Sequence, residues 1–306
     1  MSVVTSIESV AIVGGGFMGT GIAEAVAVAG LPVVVSEVDT GTLAAAQERI
    51  ERSLARAVKG GKLDAGEAEA ARGRMSLTTE LDAVAAADLV VEAVPENEEL
   101  KLQVIQAIGA LARDDSVIAS NTSSIPIAQL AQAVTNPERV VGLHFFSPVP
   151  VMSLVEIVVA LDTSPDTVAT ARSFAERIGK QPIETKDRSG FIVNMLLVPY
   201  LMAAVRMFEE GFASREDIDI GMQLGCGHPM GPLTLCDFIG LDVLYAVCDS
   251  LYEEFKRDEY APPPRSSRRW SQSRARSPAA ASPAPARRSA VRARGAGRAR
   301  ICAGDR

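Results

Sequence analysis

The stretch VAIVGGGFMGTGIAEAVAVAG, residues 10–30, decides the fold of this chain. Its first four residues are apolar and predict a buried strand, and glycines follow at positions 14, 16 and 19 in the spacing G-x-G-x-x-G. Apolar residues then recur at helical spacing: Met18, Ile22 and Val26. A strand, a glycine turn and a helix in this order predict the first unit of a parallel α/β sheet.

The pattern continues through residue 186. Short apolar runs that predict strands lie at 33–35, 89–94, 117–119, 140–146 and 154–159. Residues 40–75 predict two helices, separated by Gly60 and Gly61. Because strands alternate with helices, residues 1–186 are predicted to form a Rossmann-type, doubly wound parallel sheet with a helical-hairpin insertion.

Strand signals disappear from about residue 187. Helices are predicted over 192–210 and 215–223, with one or two more within 233–255. Residues 187–264 are therefore expected to form an all-α domain.

The segment 265–306 differs from everything before it. It holds twelve of the 31 Lys and Arg residues but one acidic residue, and its apolar side chains are too sparse to form a core. Such a composition predicts a basic disordered tail. The abrupt change after three prolines favours a non-native or frame-shifted C-terminus over a basic arm for nucleic acid or membrane.

The remaining residues are strongly acidic, which argues against a nucleic-acid partner. No apolar run is long enough to span a bilayer, and the N-terminus lacks the basic region of a secretory signal. The four cysteines have neither C-x-x-C nor metal-site spacing: Cys226, Cys236, Cys248 and Cys302. Free thiols and no metal, in a reducing cytoplasm, are the simplest interpretation.

The glycine turn predicts a dinucleotide site. Gly14 permits the tight turn, Gly16 lets the backbone approach the pyrophosphate, and Gly19 permits close packing of helix on strand. The phosphates would then lie over free amides at the helix N-terminus. Glu37, at the end of the next strand, is placed to bind the adenosine ribose and to repel a 2′-phosphate, so NAD is favoured over NADP. Asp39 is the alternative carboxylate, and one of the two starts the following loop.

The chain has only two histidines. His144 lies in a predicted strand, and Glu156 follows twelve residues later in another. A histidine held by a carboxylate, beside a redox cofactor, is the minimum set of groups for oxidising an alcohol, since a base must take the hydroxyl proton as hydride leaves. His228, in the loop-like GCGHPMGP, is the weaker candidate for a base.

Six motifs occur in one order: GGGFMGTGIA, VVEAVPENEELK, SNTSS, LHFFSPVPVMSLVEIV, DRSGFIVNMLLVPYL and HPMGPLTLCDFIGLD. With them the chain resembles the 3-hydroxyacyl-CoA dehydrogenase family from about residue 8 to residue 264, and in particular its bacterial 3-hydroxybutyryl-CoA members. The resemblance implies NAD-dependent, reversible oxidation of (S)-3-hydroxyacyl-CoA by a homodimer. It also implies that the helical domain, residues 187–264, binds substrate and pairs with the second subunit.

The resemblance also implies roles for individual residues. His144 matches the catalytic base and Glu156 the carboxylate that orients it. Ser123 matches a serine that hydrogen-bonds the reacting oxygen, with a helix N-cap as its alternative role. Asn194 matches an asparagine that enters from the helical domain, and a polar helix residue is its alternative.

Further matches concern the two ligands. Glu96 and Lys101 match positions that contact the nicotinamide half of NAD, although the same segment also predicts a helix start. Ser53 and Lys59, with Ser123, are implied to contact coenzyme A. The implied cofactor contacts also include Phe17, Met18 and Ser147.

The chain departs from the family pattern at three places. Ser147 replaces a usual asparagine and Glu37 a more frequent aspartate. The tail lacks the closing helix and its lysine motif, a loss of up to roughly 10 kcal/mol if about 400 Å² of apolar surface goes unburied.

Two alternative functions stay open. One is a related hydroxy-acid or sugar-acid dehydrogenase. The members that use a lysine in the helical domain are disfavoured because residues 189–255 contain none, but the sugar-acid members keep the histidine–glutamate pair. The other is a non-catalytic homologue, because lens λ-crystallin resembles the same family.

Overall fold

The computed structural model describes residues 6–263, so the predicted tail at 265–306 lies outside it. The described strands are β1 (Val10–Val13), β2 (Val33–Ser36), β3 (Met75–Thr78), β4 (Leu89–Glu92), β5 (Val117–Ser120), β6 (Val140–Phe145), β7 (Leu154–Val159) and β8 (Gln181–Lys186). The α-helices are α1 (Phe17–Val28), α2 (Thr40–Lys59), α3 (Ala65–Gly73), α4 (Glu98–Leu111), α5 (Ile127–Ala131), α6 (Pro165–Arg177), α7 (Val193–Glu209), α8 (Arg215–Cys226), α9 (Pro232–Ile239) and α10 (Leu241–Phe255). Short 3₁₀ helices lie at Leu81–Ala86, Pro137–Arg139 and Asp258–Tyr260.

All these strands form one sheet in the order β3-β2-β1-β4-β5-β6-β7-β8. The chain builds outward from β1 through β2 to β3 and then returns to the other side of β1 with β4. This reversal creates a crevice at the carboxyl ends of β1 and β4, where doubly wound sheets bind their ligands. The predicted Rossmann-type class is confirmed, with α2 and α3 as the inserted hairpin.

The last two strands run opposite to the first six. β6 pairs with β7 antiparallel, and β8 is parallel to β7. The prediction of a parallel sheet is therefore wrong at this edge. Only residues 146–153 connect β6 to β7, which is too short for the crossover that a parallel pair requires.

β3 and β8 are absent from the sequence prediction. Both lie at the edges of the sheet and alternate between half-buried or buried and exposed residues, so neither gives an apolar run. Pro182 in β8 also argues against a strand by sequence, but an edge position tolerates it.

The sheet is buried on both faces because its side chains alternate. In β1, Ile12 packs in one core cluster with Ile22 of α1 and Phe174 of α6. Ala11 and Val13 point the other way and pack with α4 and α5. Helices therefore cover both faces, which holds the carboxyl ends of the strands as a rigid platform.

After β8 the described chain is helical, as predicted. Helices α7–α10 enclose their own core cluster, which includes Leu201, Leu233, Leu244 and Leu251. α7 begins at Val193, seven residues after β8 ends, so its N-terminus lies close to the sheet. No helix within residues 6–263 is long and apolar enough to cross a bilayer.

Candidate active site

The glycine turn lies at the point where the strand order reverses. Gly14 follows β1 with a φ of 102°, and a Cβ there would lie 2.8 Å from the Ala93 carbonyl that follows β4. A Cβ on Gly19 would overlap the carbonyl oxygen of Gly14. A side chain at Gly14 would therefore clash with the backbone that follows β4, and one at Gly19 would push α1 away from the turn.

Gly16 differs from these two, because a Cβ built on it would meet no atom within 4 Å. It is the N-cap of α1, and no side chain caps the helix there. Phe17 is 60% exposed and Met18 is partly buried beside the turn. An open glycine before uncapped helix amides fits a dinucleotide pyrophosphate, since the amides and the helix dipole both favour an anion.

Glu37 reaches this turn from the end of β2. Its Oε1 accepts a hydrogen bond from the Gly15 amide at 2.7 Å. The Arg49 guanidinium donates to the carbonyl of the same Gly15 at 3.0 Å. Asp39 is the one of the two carboxylates that starts the following segment, because it caps α2 by accepting the Thr42 amide at 2.8 Å.

His144 and Glu156 face each other across the antiparallel pair of β6 and β7. His144 Nδ1 lies 2.7 Å from Glu156 Oε2, and its Nε2 lies 3.0 Å from the Ser123 hydroxyl. Both side chains are buried. Because a carboxylate accepts only, Nδ1 carries the proton in the neutral ring and Nε2 is left as a base.

The first turn of the helical region fixes Glu156. Its Oε1 accepts the backbone amides of Ile192 at 3.0 Å and Val193 at 2.9 Å. Phe191, just before them, has a left-handed φ of 49°, an uncommon backbone state that aims both amides at the carboxylate. Asn194 follows them and is half-buried in the first turn of α7.

Aromatic rings enclose the imidazole. The centroid of Phe146 lies 4.7 Å from that of His144, and the centroid of Phe191 lies 5.2 Å away. His144 is only 4% exposed. Its pairing with Glu156 is therefore shielded from water, which strengthens the electrostatic interaction.

Ser123 lies in the irregular segment between β5 and α5. It does not cap α5, and neither does Ser124, because Asp187 accepts the Ile127 and Ala128 amides at 2.8 and 2.7 Å. The predicted N-cap alternative is therefore wrong for this helix. The Ser123 hydroxyl is directed to the imidazole instead.

Glu96 and Lys101 differ in exposure: the Glu96 side chain is partly open to solvent, and the Lys101 side chain is buried. Glu96 accepts hydrogen bonds from the segment 122–124, and its side chain is 39% exposed. Burial would raise the pKa of Glu96, but the charge of Lys101 and the hydrogen bonds from 122–124 hold this pKa below its usual value. Asn97, the next residue, caps α4, so the predicted helix start is also present.

Lys101 is covered, with its side chain 1% exposed. Its ammonium lies 2.7 Å from Glu92, 3.1 Å from the Val94 carbonyl and 3.5 Å from Glu96. The first two contacts are hydrogen bonds and the third is an ion pair. Lys101 is therefore held behind the Glu96 carboxylate, and its contact with the nicotinamide half of NAD stays a prediction.

Three other predicted residues lie outside the His144 cluster. Ser53 is half-buried on α2, and its hydroxyl acts to lower the pKa of Glu24 in α1, against the larger effect of burial. Lys59 is exposed to solvent at the end of α2. It follows Ser53 by six residues, which is about one and two-thirds helix turns, so Ser53 and Lys59 do not share a face of the helix. Ser147 is exposed just beyond β6 and precedes the cis peptide bond to Pro148.

Comparison with known proteins identifies the family. The model of the 3-hydroxyacyl-CoA dehydrogenase NAD binding domain matches residues 9–188, and the model of the 3-hydroxyacyl-CoA dehydrogenase C-terminal domain matches residues 190–281. The chain belongs to the 3-hydroxyacyl-CoA dehydrogenase family.

Individual members of this family are similar over most of their length. The 3-hydroxybutyryl-CoA dehydrogenase of Mycobacterium tuberculosis is 48% identical over 261 residues, 85% of this chain and 91% of the relative. The crystal structure of M. tuberculosis FadB2 has a TM-score of 0.84 at 47% identity, covering 85% of this chain and 92% of that one. That of (S)-3-hydroxybutyryl-CoA dehydrogenase PaaH1 from Ralstonia eutropha has a TM-score of 0.80 at 43% identity, covering 84% and 91%.

Sequence reasoning missed several residues of this dehydrogenase site. Glu92 is a fully buried carboxylate at the end of β4, and its sequence signal is a charge that closes an apolar strand nine residues before a lysine. Thr122 donates to Glu96, and Asn121 accepts the Phe145 amide beside His144. His228, the weaker base candidate, pairs with Tyr200 in the helical region at 3.1 Å.

Proposed function

We propose that this protein is an NAD-dependent (S)-3-hydroxyacyl-CoA dehydrogenase that acts reversibly on short-chain substrates such as 3-hydroxybutyryl-CoA. The observation that carries the proposal is His144, held by buried Glu156 on one nitrogen while its other nitrogen is available as a base. Membership of the family and the names of its similar members support the substrate class. The preference for a short acyl chain is the more specific part of the proposal.

His144 and Glu156 supply the proton transfer. In the oxidation, Nε2 takes the proton of the substrate 3-hydroxyl, and the imidazolium that forms is stabilised by the Glu156 carboxylate 2.7 Å from Nδ1. NAD, when bound, accepts the hydride from C3. In the reverse direction His144 returns the proton to the oxygen of the 3-oxo group.

Ser123 and Asn194 are proposed to hold the reacting oxygen. The Ser123 hydroxyl lies 3.0 Å from the nitrogen that must receive the proton, so an oxygen that contacts one can contact both. Asn194 would approach from the helical side, next to the amides that fix Glu156. Neutral donors stabilise the negative charge that develops on a carbonyl oxygen during reduction.

The NAD contacts are assigned to the glycine turn and its surroundings: Gly14, Gly16, Phe17, Met18, Gly19, Glu37, Glu96, Ser123 and Ser147. Glu37 supports NAD rather than NADP, because its carboxylate lies at the turn and would repel a 2′-phosphate. Coenzyme A is assigned to the hairpin α2–α3 through Ser53 and Lys59, and to Ser123. The division of the chain at residues 186/187 is part of the same proposal.

The test is turnover of acetoacetyl-CoA by the full chain with NADH, followed by loss of NADH absorbance. We expect activity in the wild type, and a kcat lower by about 10²–10⁴-fold in His144→Gln. Glu99→Gln, a substitution at an exposed carboxylate, serves as the control and should keep the wild-type kcat. A series of acyl chain lengths should show the highest kcat/KM at four carbons. A wild type that binds NADH but turns over no acyl-CoA would support a non-catalytic homologue instead.

We also propose a cytoplasmic homodimer. Eight exposed large apolar side chains support pairing through the helical region: Ile192, Leu196, Met207, Phe212, Ile220, Leu224, Phe238 and Val243. In the described part of the chain no disulfide joins the cysteines, which supports a reducing compartment. Light scattering should give a dimer mass for the wild type and a monomer for Leu224→Glu. A monomeric wild type would contradict the proposal.

A further inference from the structure

Four hydrogen bonds converge on one oxygen of Glu96. Its Oε1 accepts from the Thr122 hydroxyl at 2.6 Å and from the Ser123 amide at 2.9 Å. It also accepts from the amide and the hydroxyl of Ser124, both at 3.0 Å. All four donors belong to the segment that carries the serine facing His144.

This segment has little other support. β5 ends at Ser120 and α5 begins at Ile127, so neither a ladder nor a helix pairs the amides of Ser123 and Ser124. Thr122 closes the segment internally by accepting the Ile125 amide at 2.9 Å. Without the Glu96 carboxylate the Ser123 amide would lose its acceptor, and the Ser124 amide would keep only the Thr122 hydroxyl at 3.3 Å. The backbone of Ser123 would then no longer be fixed.

A buried ion pair holds Glu96 from behind. Glu92 is fully buried and accepts from the Lys101 ammonium and the Val94 amide at 2.7 Å each, and from the Ser120 hydroxyl at 2.5 Å. Lys101 in turn lies 3.5 Å from Glu96 Oε2. Since Lys101 is anchored between two carboxylates, Glu96 is held with Oε1 toward the serine segment.

We propose that Glu96 is the positioning residue for Ser123, and that the buried Glu92–Lys101 pair keeps Glu96 in place. The chain of contacts runs from Glu92 through Lys101 and Glu96 to Ser123 and the imidazole. This inference rests on the proposed dehydrogenase function. It assigns Glu96 a role in kcat that is separate from a contact with NAD.

The two roles give different kinetics. A residue that only contacts the cofactor changes NADH affinity, and its effect multiplies with that of an independent residue. A residue that works through Ser123 lowers kcat at saturating NADH, because a displacement of about 1 Å can cost about 10²-fold. Its effect disappears once Ser123 has lost its hydroxyl.

The experiment is a double-mutant cycle in the full chain: wild type, Glu96→Ala, Ser123→Ala and the double variant. The readouts are kcat for acetoacetyl-CoA at saturating NADH, and NADH affinity by fluorescence. We expect Ser123→Ala and Glu96→Ala each to lower kcat by about 10–10²-fold. The double variant should stay within about threefold of the lower single variant. Glu99→Gln, at an exposed carboxylate in the first turn of α4, is the matched control and should resemble the wild type.

Multiplicative losses of about 10²–10⁴-fold in the double variant would overturn the proposal. So would a Glu96→Ala variant that changes only NADH affinity. If Glu96→Ala does not fold, Glu96→Gln decides, because it keeps Oε1 as an acceptor. It should retain kcat within about tenfold of the wild type, and a loss as large as that of Ser123→Ala would overturn the proposal.

A crystal structure of Glu96→Ala separates this inference from the proposed function. We expect the Ser123 hydroxyl to move beyond hydrogen-bond reach of His144 Nε2. If it stays near the 3.0 Å of the wild type, the positioning role is wrong. This result does not depend on which substrate the wild type accepts.

Discussion

Replacement of Glu156 by glutamine tests the proton transfer most directly. The amides of Ile192 and Val193 both donate to Oε1, so the glutamine must turn its carbonyl oxygen to them. Its NH₂ then takes the place of Oε2, 2.7 Å from His144 Nδ1. A donor at that position requires Nδ1 to accept, and the single ring proton moves to Nε2.

The magnitude follows from this change of tautomer. An Nε2 that already carries a proton cannot take one from the substrate hydroxyl. In the serine-protease triad the equivalent substitution lowers kcat by about 10⁴-fold. Because Glu156 is fully buried, water offers no substitute partner for the ring. We expect kcat of Glu156→Gln to fall by about 10³–10⁴-fold, or about 4–5.5 kcal/mol of transition-state stabilisation.

The assay is oxidation of 3-hydroxybutyryl-CoA at saturating NAD, with thermal unfolding and NAD affinity measured alongside. Glu184→Gln is the matched control, because Glu184 lies on the neighbouring strand β8 in an exposed pair with Arg172 at 2.6 Å. The control should keep kcat, since such pairs contribute about 0–1 kcal/mol. A folded Glu156→Gln variant that retains more than a tenth of wild-type kcat would refute the tautomer argument.

Three further predictions concern the surroundings of the site. Glu37→Ser should raise the kcat/KM ratio of NADPH to NADH by about 10–10²-fold, because the repelling carboxylate is gone while Arg49 stays beside the glycine turn; an unchanged ratio would contradict it. Lys101→Met should lower the free energy of unfolding in urea by about 3–5 kcal/mol by leaving Glu92 buried without its partner. The double variant with Glu92→Gln should recover at least half of that loss, and no recovery would count against the ion pair. Burial raises the pKa of Glu24 above that of the unfolded chain, so the wild type loses stability as pH rises from the unfolded pKa through the folded one. Glu24→Gln should therefore stabilise the protein more at pH 7 than at pH 4. Equal shifts of the melting temperature at both pH values would disprove this.

Local patterns were enough to predict much of the fold. The strand–glycine–helix stretch at 10–30 and the buried strands gave strong apolar signals, because strands covered on both faces have no polar side to interrupt them. β3 and β8 gave none, since an edge strand has water on one side and needs fewer apolar residues. The reversal at β7 was also hidden, because strand direction depends on connection length and pairing.

The candidate catalytic residues were partly predictable for the same reason. His144 and Glu156 stand twelve residues apart in adjacent apolar runs, and antiparallel pairing places them opposite each other. The two amides that fix Glu156 have no side-chain signature, and they come from 36 and 37 residues away. Lys101 shows the opposite limit: a lysine in a polar helix start suggests an exposed side chain, but folding buries it against Glu92.

By itself, the sequence determined the glycine turn, the buried strands, most of the helices, and the candidate pair His144 and Glu156, because each depends on neighbours along the chain. Only the tertiary structure decided the direction of the last two strands, the burial of Lys101 and the convergence of residues 122–124 on Glu96. Those features depend on segments that are far apart in the sequence and meet only when the chain folds. The free energy of burying a charge is set by every group around it, and the sequence does not show which groups those are.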